Sequence, residues 1–284
     1  MVKYIFLILL FASNLLADNT RSLYHEFLKP GAESRGYAYA LTASDLGFIS
    51  IFYNPANIVS SRNNVNIYFS KENFDYIEDI SHLTVGVSFR MLEEPLVYSA
   101  LSWRQFDLFD LVAYDDNENI VMYTVGTRIK FIDVGINAKY FISKLNSPDL
   151  KTDSSGFGFD AGISMTWESL LVSFSAQNIM ARIDYSDDYQ DRLDIILNAG
   201  LRYRLFMDLA LYFDAQKLGQ DNMINAALAY DLSQTLQFSL GANSRQQIGA
   251  GIYFTISSFS IKYGFLYSSD ESFQNNSLSF CFGF

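Results

Sequence analysis

From about residue 64 to the carboxyl end, apolar residues alternate with small or polar ones, the period-two signature of strands with two unlike faces. In "MDLALYFDA", Met207, Leu209, Leu211 and Phe213 share one parity, while Asp208, Ala210, Tyr212 and Asp214 share the other. Ile248, Ala250, Ile252, Phe254 and Ile256 alternate in the same way with Gly249, Gly251, Tyr253 and Thr255. The pattern predicts fourteen strands, over 64–70, 82–90, 95–104, 119–129, 131–143, 156–167, 169–177, 192–204, 206–216, 222–231, 235–243, 246–256, 258–267 and 276–284. Most approach the roughly nine to eleven residues that a tilted strand needs to cross a bilayer.

The connections alternate too. Tight ones are "MLEEP", Lys130, the Glu168/Ser169 corner, Leu205, "LSQT" and Ser257/Ser258. Longer ones fall at 71–81, 105–118, 144–155, 178–191, 217–221 and 268–275, and they carry much of the acid, as in "YDDNEN" and "DYSDDYQD". Only "SRQ" near 244 is short where a long one is expected. An even strand number, with short turns on one side and longer loops on the other, predicts an all-β fold: a 14-stranded antiparallel transmembrane β-barrel of the bacterial outer-membrane type.

Charge distribution supports that fold over a soluble sandwich. A Lys or Arg facing lipid at mid-bilayer costs about 2–4 kcal/mol, so the outward parity should lack charge. Arg90, Arg128, Asp133, Lys139, Asp160, Asp194, Arg202, Asp208, Asp214 and Lys262 all sit on the parity opposite to the aromatic and aliphatic one, which assigns them to the lumen. Tyr140, Trp167, Tyr203, Tyr230 and Tyr267 lie near strand ends on the apolar parity, where aromatic belts form. The last strand, "SLSFCFGF", turns Leu278, Phe280, Phe282 and Phe284 outward and must pair with the first, because unpaired backbone in hydrocarbon costs several kcal/mol per group. Cys281 faces inward as a small space-filler.

The amino-terminal part reads differently. Lys3, the apolar run from Tyr4 to Ala12 and Ala17 before the expected cleavage point form a secretory signal peptide over 1–17, with the mature chain starting near Asp18. Residues 18–63 do not alternate: "LYHEFL" from Leu23 to Leu28 suggests a helical turn or two, and the small-residue run after Gly31 leads to a turn at Asn54/Pro55. Such irregular backbone cannot face lipid. It is therefore expected to fold into the lumen of the barrel of 64–284 as a plug, with Phe48, Phe52, Tyr53, Asn54 and Pro55 at its gate.

Composition agrees with an exported membrane protein, at 50% hydrophobic and 16% aromatic residues. A net charge of -11 excludes a nucleic-acid partner, which would need a basic surface. One cysteine excludes an internal disulfide. Enzyme chemistry finds no footing. His25 and His82 lack metal-ligand spacing, and Ser81 and His82, as strand neighbours, point to opposite faces, which leaves His82 a polar residue at a strand mouth. "DYSDDYQD" lacks the ordered glycine-containing pattern of a calcium loop and reads as a solvated loop. No cofactor and no metal are expected.

The stretch Gly31–Val59, with Ser44, Asp45 and "YNPA" at Tyr53–Ala56, resembles the amino-terminal signature of the PorV/PorQ family, relatives of the FadL long-chain fatty-acid transporters. "GFGFDAGISM" (156–165), "LLVSFSAQNI" (170–179), "ILNAGLRYRL" (196–205) and "GAGIYFTISSFSIKYGF" (249–265) follow in that family's order. The resemblance implies a fourteen-stranded outer-membrane barrel with an amino-terminal plug. It also implies one of two roles: passage of a hydrophobic ligand past the plug, as in FadL-like members, or surface docking of a secreted protein, as in PorV-like members of type IX secretion. The chain is shorter than FadL and lacks a long external lid. The terminal Phe280, Phe282 and Phe284 resemble the carboxyl-terminal signal read by the barrel-assembly machinery. Expected partners are thus outer-membrane lipid, that machinery during biogenesis, and a hydrophobic small molecule or a secreted protein.

Overall fold

The computed structural model describes residues 29–74, 80–110, 114–146, 151–186, 189–268 and 274–284. The expected signal peptide, His25 and the turn from Leu23 to Leu28 lie outside the described residues. The strands are β1 (Val65–Phe74), β2 (Ile80–Leu92), β3 (Val97–Asp110), β4 (Tyr114–Ile129), β5 (Ile132–Asn146), β6 (Lys151–Trp167), β7 (Leu170–Tyr185), β8 (Gln190–Arg192), β9 (Ile196–Arg204), β10 (Leu209–Leu218), β11 (Asp221–Asp231), β12 (Leu236–Asn243), β13 (Gln247–Ile256), β14 (Phe259–Ser268) and β15 (Gln274–Gly283). Leaving aside the three-residue β8, which pairs only with β7, every strand pairs antiparallel with two others, so fourteen of them close a barrel. Closure runs through β1 and β15, in the register Phe69 opposite Phe280 and Tyr68 opposite Cys281, and Phe284 N–H donates to Val65 O at 2.8 Å.

Alternation decides which side chains enter. On β12 and β13, Leu240 and Ile248 are 54% and 59% exposed, while Ser239 and Tyr253 between such positions are buried. Phe282 and Phe284 face outward and Ser277 and Ser279 inward. The tight hairpins need backbone at positive φ, which Lys130 (60°), Glu168 (51°) and Ser257 (53°) supply at their first turn residue.

Several segments read as loops are strand. "YDDNEN" belongs to β4, and β3 to β7 run 14 to 17 residues against 8 to 11 for β9 to β15. The barrel wall is therefore tall on one side, with hairpins that continue beyond the apolar band. The outward positions there turn polar, so the apolar-out pattern that marks the band ends while the backbone ladder continues. Outward charges mark the edge of the band: Lys71 on β1, and the Arg182–Asp184 pair on β7 at 2.8 Å. Two further corrections follow from the register. Residues 192–204 split into β8 and β9 around 193–195, and the connection expected at 217–221 is the two-residue turn Gly219–Gln220, with Gly219 at φ 56°.

Inside the barrel, residues 29–61 are almost wholly buried. They form a helical turn, Ala32–Gly36, and two 3-10 segments, Gly47–Phe52 and Pro55–Ser60. They touch strands around the full circumference, from Glu72 on β1 through Asn137 on β5, Ser164 on β6, Ser175 on β7 and Asp214 on β10 to Ser279 on β15. The segment thus occupies the lumen.

Candidate functional site: a lumen crossed by its own chain

An irregular segment leaves backbone groups without helical or sheet partners, and buried groups of that kind must be satisfied. The inward side chains of the strands do so. Asn137 Nδ2 donates to Ile51 O at 3.1 Å, Gln177 Nε2 to Phe52 O at 2.8 Å, and Ser175 Oγ to Tyr53 O at 2.6 Å. Thr42 N–H donates to Asp214 Oδ2 at 2.6 Å. Asn54 caps its own 3-10 turn by accepting from Ala56 N–H at 3.0 Å, and its Nδ2 donates to Ser164 Oγ at 3.1 Å. The polar lumen parity is, in large part, the complement of this one segment.

Close approach matters at two glycines. A Cβ on Gly135 of β5 would stand 2.4 Å from Pro55 C and 2.5 Å from Ala56 N, and one on Gly264 of β14 would stand 1.9 Å from Ala32 O. Backbone fills the space that side chains would otherwise take.

Charge fastens the segment at three places. Arg35 pairs with the Glu72 carboxylate, to which Gly31 N–H also donates and from which His82 Nδ1 stands 3.1 Å away, all with fully buried side chains. Glu33 pairs with Lys262 at 2.6 Å. Asp45 pairs with Arg202, and Arg204 stands 3.7 Å from the same carboxylate. Burial alone would push the Asp45 carboxyl up, but Arg202, by charge and hydrogen bond, and Arg62 and Arg204, by charge, hold it below the usual carboxylate range. With the folded value depressed, this contribution is present above about pH 4 and lost as pH falls through the folded value. Hydrogen exchange around residue 45 is therefore expected to stay slow from neutral pH down to about pH 4 and to quicken only below it, relative to residues 54–57 in the same sample. Loss of protection already between pH 7 and 5 would contradict the pairing.

The residues expected at the gate are all buried: Phe48, Phe52 and Tyr53 belong to one apolar cluster, which does not include Asn54 and Pro55. Phe48 stacks on Tyr68 at 5.0 Å and meets Phe52 edge-on at 5.8 Å, on the β1–β2 side, and Arg104 lies 5.3 Å over the Phe52 ring. Asn54 and Pro55 instead abut β5, β6 and β7, and Tyr53 O accepts from Ser175. Among the lumen charges, Lys139 pairs with Asp160 at 2.8 Å and Arg128 with Asp133 at 2.7 Å, and Arg202, Asp214 and Lys262 hold the segment. Arg90 sits half-buried near the β2–β3 turn, where it reaches Glu93 at 2.7 Å. Asp208 is a correction: it lies exposed in the β9–β10 turn, because the strand starts only at Leu209. Asp194 lies in the connection before β9, where its carbonyl accepts from Asn178 Nδ2 at 3.2 Å. His82 is no mouth residue either, being buried beside Glu72 and Phe106.

Two features escaped the sequence reading. One is Arg35–Glu72, since β1 was expected to stop at residue 70, two short of the glutamate. The other is an inward apolar cluster at the long-hairpin end, Ile120, Phe141, Ala181, Ile183 and Leu193. Its signal in the sequence is the runs "NIVMY" and "KYFIS", where both parities are apolar.

Solved structures show where this architecture recurs. The Ralstonia pickettii toluene transporter TbuX superposes with a TM-score of 0.69, at 11% identity over 91% of this chain and 99% of that one. The CymD monoaromatic hydrocarbon channel gives 0.68, at 12% identity over 89% and 97%. A Pseudomonas aeruginosa FadL homologue gives 0.62, at 10% identity over 89% and 98%. The fold matches the FadL-type barrels. At these identities the likeness concerns the fold alone. No protein-family model and no curated protein matches the chain.

Proposed function

We propose that this protein sits in the bacterial outer membrane, with lipid around its apolar band, and mediates passive uptake of a hydrophobic or amphipathic small molecule. The observation that carries this reading is the inward apolar cluster of Ile120, Phe141, Ala181, Ile183 and Leu193 at the long-hairpin end, separate from the larger buried cluster that the amino-terminal segment forms with the strands. These side chains are already buried against one another, so a hydrophobic ligand that parts them keeps their surface out of water where a polar solute would not. Below that cluster the amino-terminal segment acts as the plug, and Phe48, Phe52, Tyr53, Asn54 and Pro55 must shift for anything to pass. The driving force is the ligand's own gradient. Structural neighbours named as hydrocarbon channels and toluene transporters support the same direction. Kinship to PorV/PorQ and recognition of Phe280, Phe282 and Phe284 by the assembly machinery belong to this proposal.

Proteoliposomes carrying the full mature chain are expected to take up labelled toluene or a medium-chain fatty acid faster than empty liposomes, with no gain for a sugar of similar size. Ile183→Asn is expected to reduce that gain. Equal rates for protein-containing and empty liposomes would refute the uptake reading.

A further inference from the structure

The tight-turn end of the lumen holds a cavity of about 400 Å³. Its lining brings together Arg62 from the amino-terminal segment, Arg90 from the end of β2, Arg128 from the end of β4 and Arg202 from β9, with Asp45 as the acid among them. Around it, Arg204 adds a positive charge, and Asp133 and Glu93 add negative ones by pairing with Arg128 and Arg90. Among the lining residues and the groups paired with them, five arginines meet three carboxylates, in a chain whose formal net charge is -11.

We infer that this mouth is a binding site for a small oxyanion, a carboxylate or phosphate group, carried on a molecule with a short apolar part. A guanidinium presents five N–H donors, and the pairs present use only some of them. Arg128 gives Nε and Nη2 to Asp133 at 2.7 and 2.9 Å. The Arg202 Nε is buried without a hydrogen-bond partner, in a residue 7% exposed. Like charges converging on one cavity repel, so an anion relieves their repulsion as well as completing their hydrogen bonds. Val59, Leu96 and Leu171 supply the apolar wall against which the rest of the ligand lies. The cavity volume lies within the range of small-molecule sites. The site does not depend on whether the barrel conducts, since it is defined by binding at one mouth.

Calorimetric titration of the full mature chain in an uncharged detergent tests this. The probes are hexanoate, inorganic phosphate, glycerol phosphate and, as the uncharged control, 1-hexanol. Hexanoate or a phosphate probe is expected to bind and hexanol not, with affinity falling as sodium chloride rises. Arg62→Gln and Arg90→Gln are each expected to weaken binding about tenfold, while Arg90→Lys, which keeps the charge, retains most of it. Binding of hexanoate alone assigns the site to organic carboxylates, and tighter binding of glycerol phosphate than of inorganic phosphate assigns it to a phosphate-bearing headgroup. Hexanol binding as well as hexanoate, no heat with any anion, or affinities unchanged in both glutamine variants would overturn the inference.

Discussion

Glu72→Gln is expected to loosen the amino-terminal segment by about 3–5 kcal/mol, the cost of removing one partner from a buried ion pair. The Glu72 carboxylate serves three groups at once: the Arg35 guanidinium, Gly31 N–H and the His82 ring. Its removal strands Arg35, whose side chain is wholly buried. Glutamine keeps the shape and one accepting oxygen, so the loss reads charge rather than packing. The readout is local. Amide exchange over residues 31–36 should rise by two orders of magnitude or more, since about 1.4 kcal/mol is tenfold, while exchange in β9 to β14 stays unchanged. The double variant Arg35→Met, Glu72→Gln should recover much of the loss, because no unpaired charge then remains buried. Exchange unaltered in Glu72→Gln, or a double variant no better than the single, would show that the ion pair does not hold the segment.

The barrel was legible in the sequence where one face meets an apolar phase and the other does not. On β13, Ile248, Ile252 and Phe254 stand outward against Gly249, Gly251 and Tyr253, and there the expected 246–256 and the observed Gln247–Ile256 differ by one residue at the start and coincide at the end. Legibility failed where that contrast ends. β6 was expected from 156 and starts at Lys151, and β1 was expected to end at 70 and continues to Phe74, because hairpins outside the apolar band keep their ladders without the apolar-out pattern. The same limit hid Glu72, an inward charge on an extension that the pattern did not show. Asp208 failed for the opposite reason: alternation can run on into a turn, where side-chain parity no longer reports facing. Inside the lumen, composition announced small and polar groups, but which of them meet the segment depends on contacts over more than a hundred residues of sequence, such as Gln177 with the Phe52 carbonyl and the Lys29 ammonium. No periodicity carries that information.

Gly135→Leu is expected to shift the Asn54–Pro55 turn off the wall and so to raise passage through the barrel. At this site the first added carbon already stands 2.4 and 2.5 Å from backbone atoms of Pro55 and Ala56, distances that side-chain rotation cannot relieve. Either the strand or the segment must move. The strand is held on both sides, Gly135 lying opposite Gly126 on β4 and Gly162 on β6, so the segment yields. Overpacking of this kind costs about 1–3 kcal/mol, and it falls on the turn that Asn54 fastens to Ser164 and to the carbonyls of Ile163 and Phe174. Single-barrel conductance in planar bilayers should therefore rise in Gly135→Leu, and the effect should exceed that of Gly283→Leu, where the added atoms meet the Asn63 side chain rather than backbone. Unchanged conductance in a variant that still folds and closes would mean that the Asn54–Pro55 turn does not govern passage, and the obstruction would have to be sought in the aromatic packing of Phe48, Phe52 and Tyr68 instead.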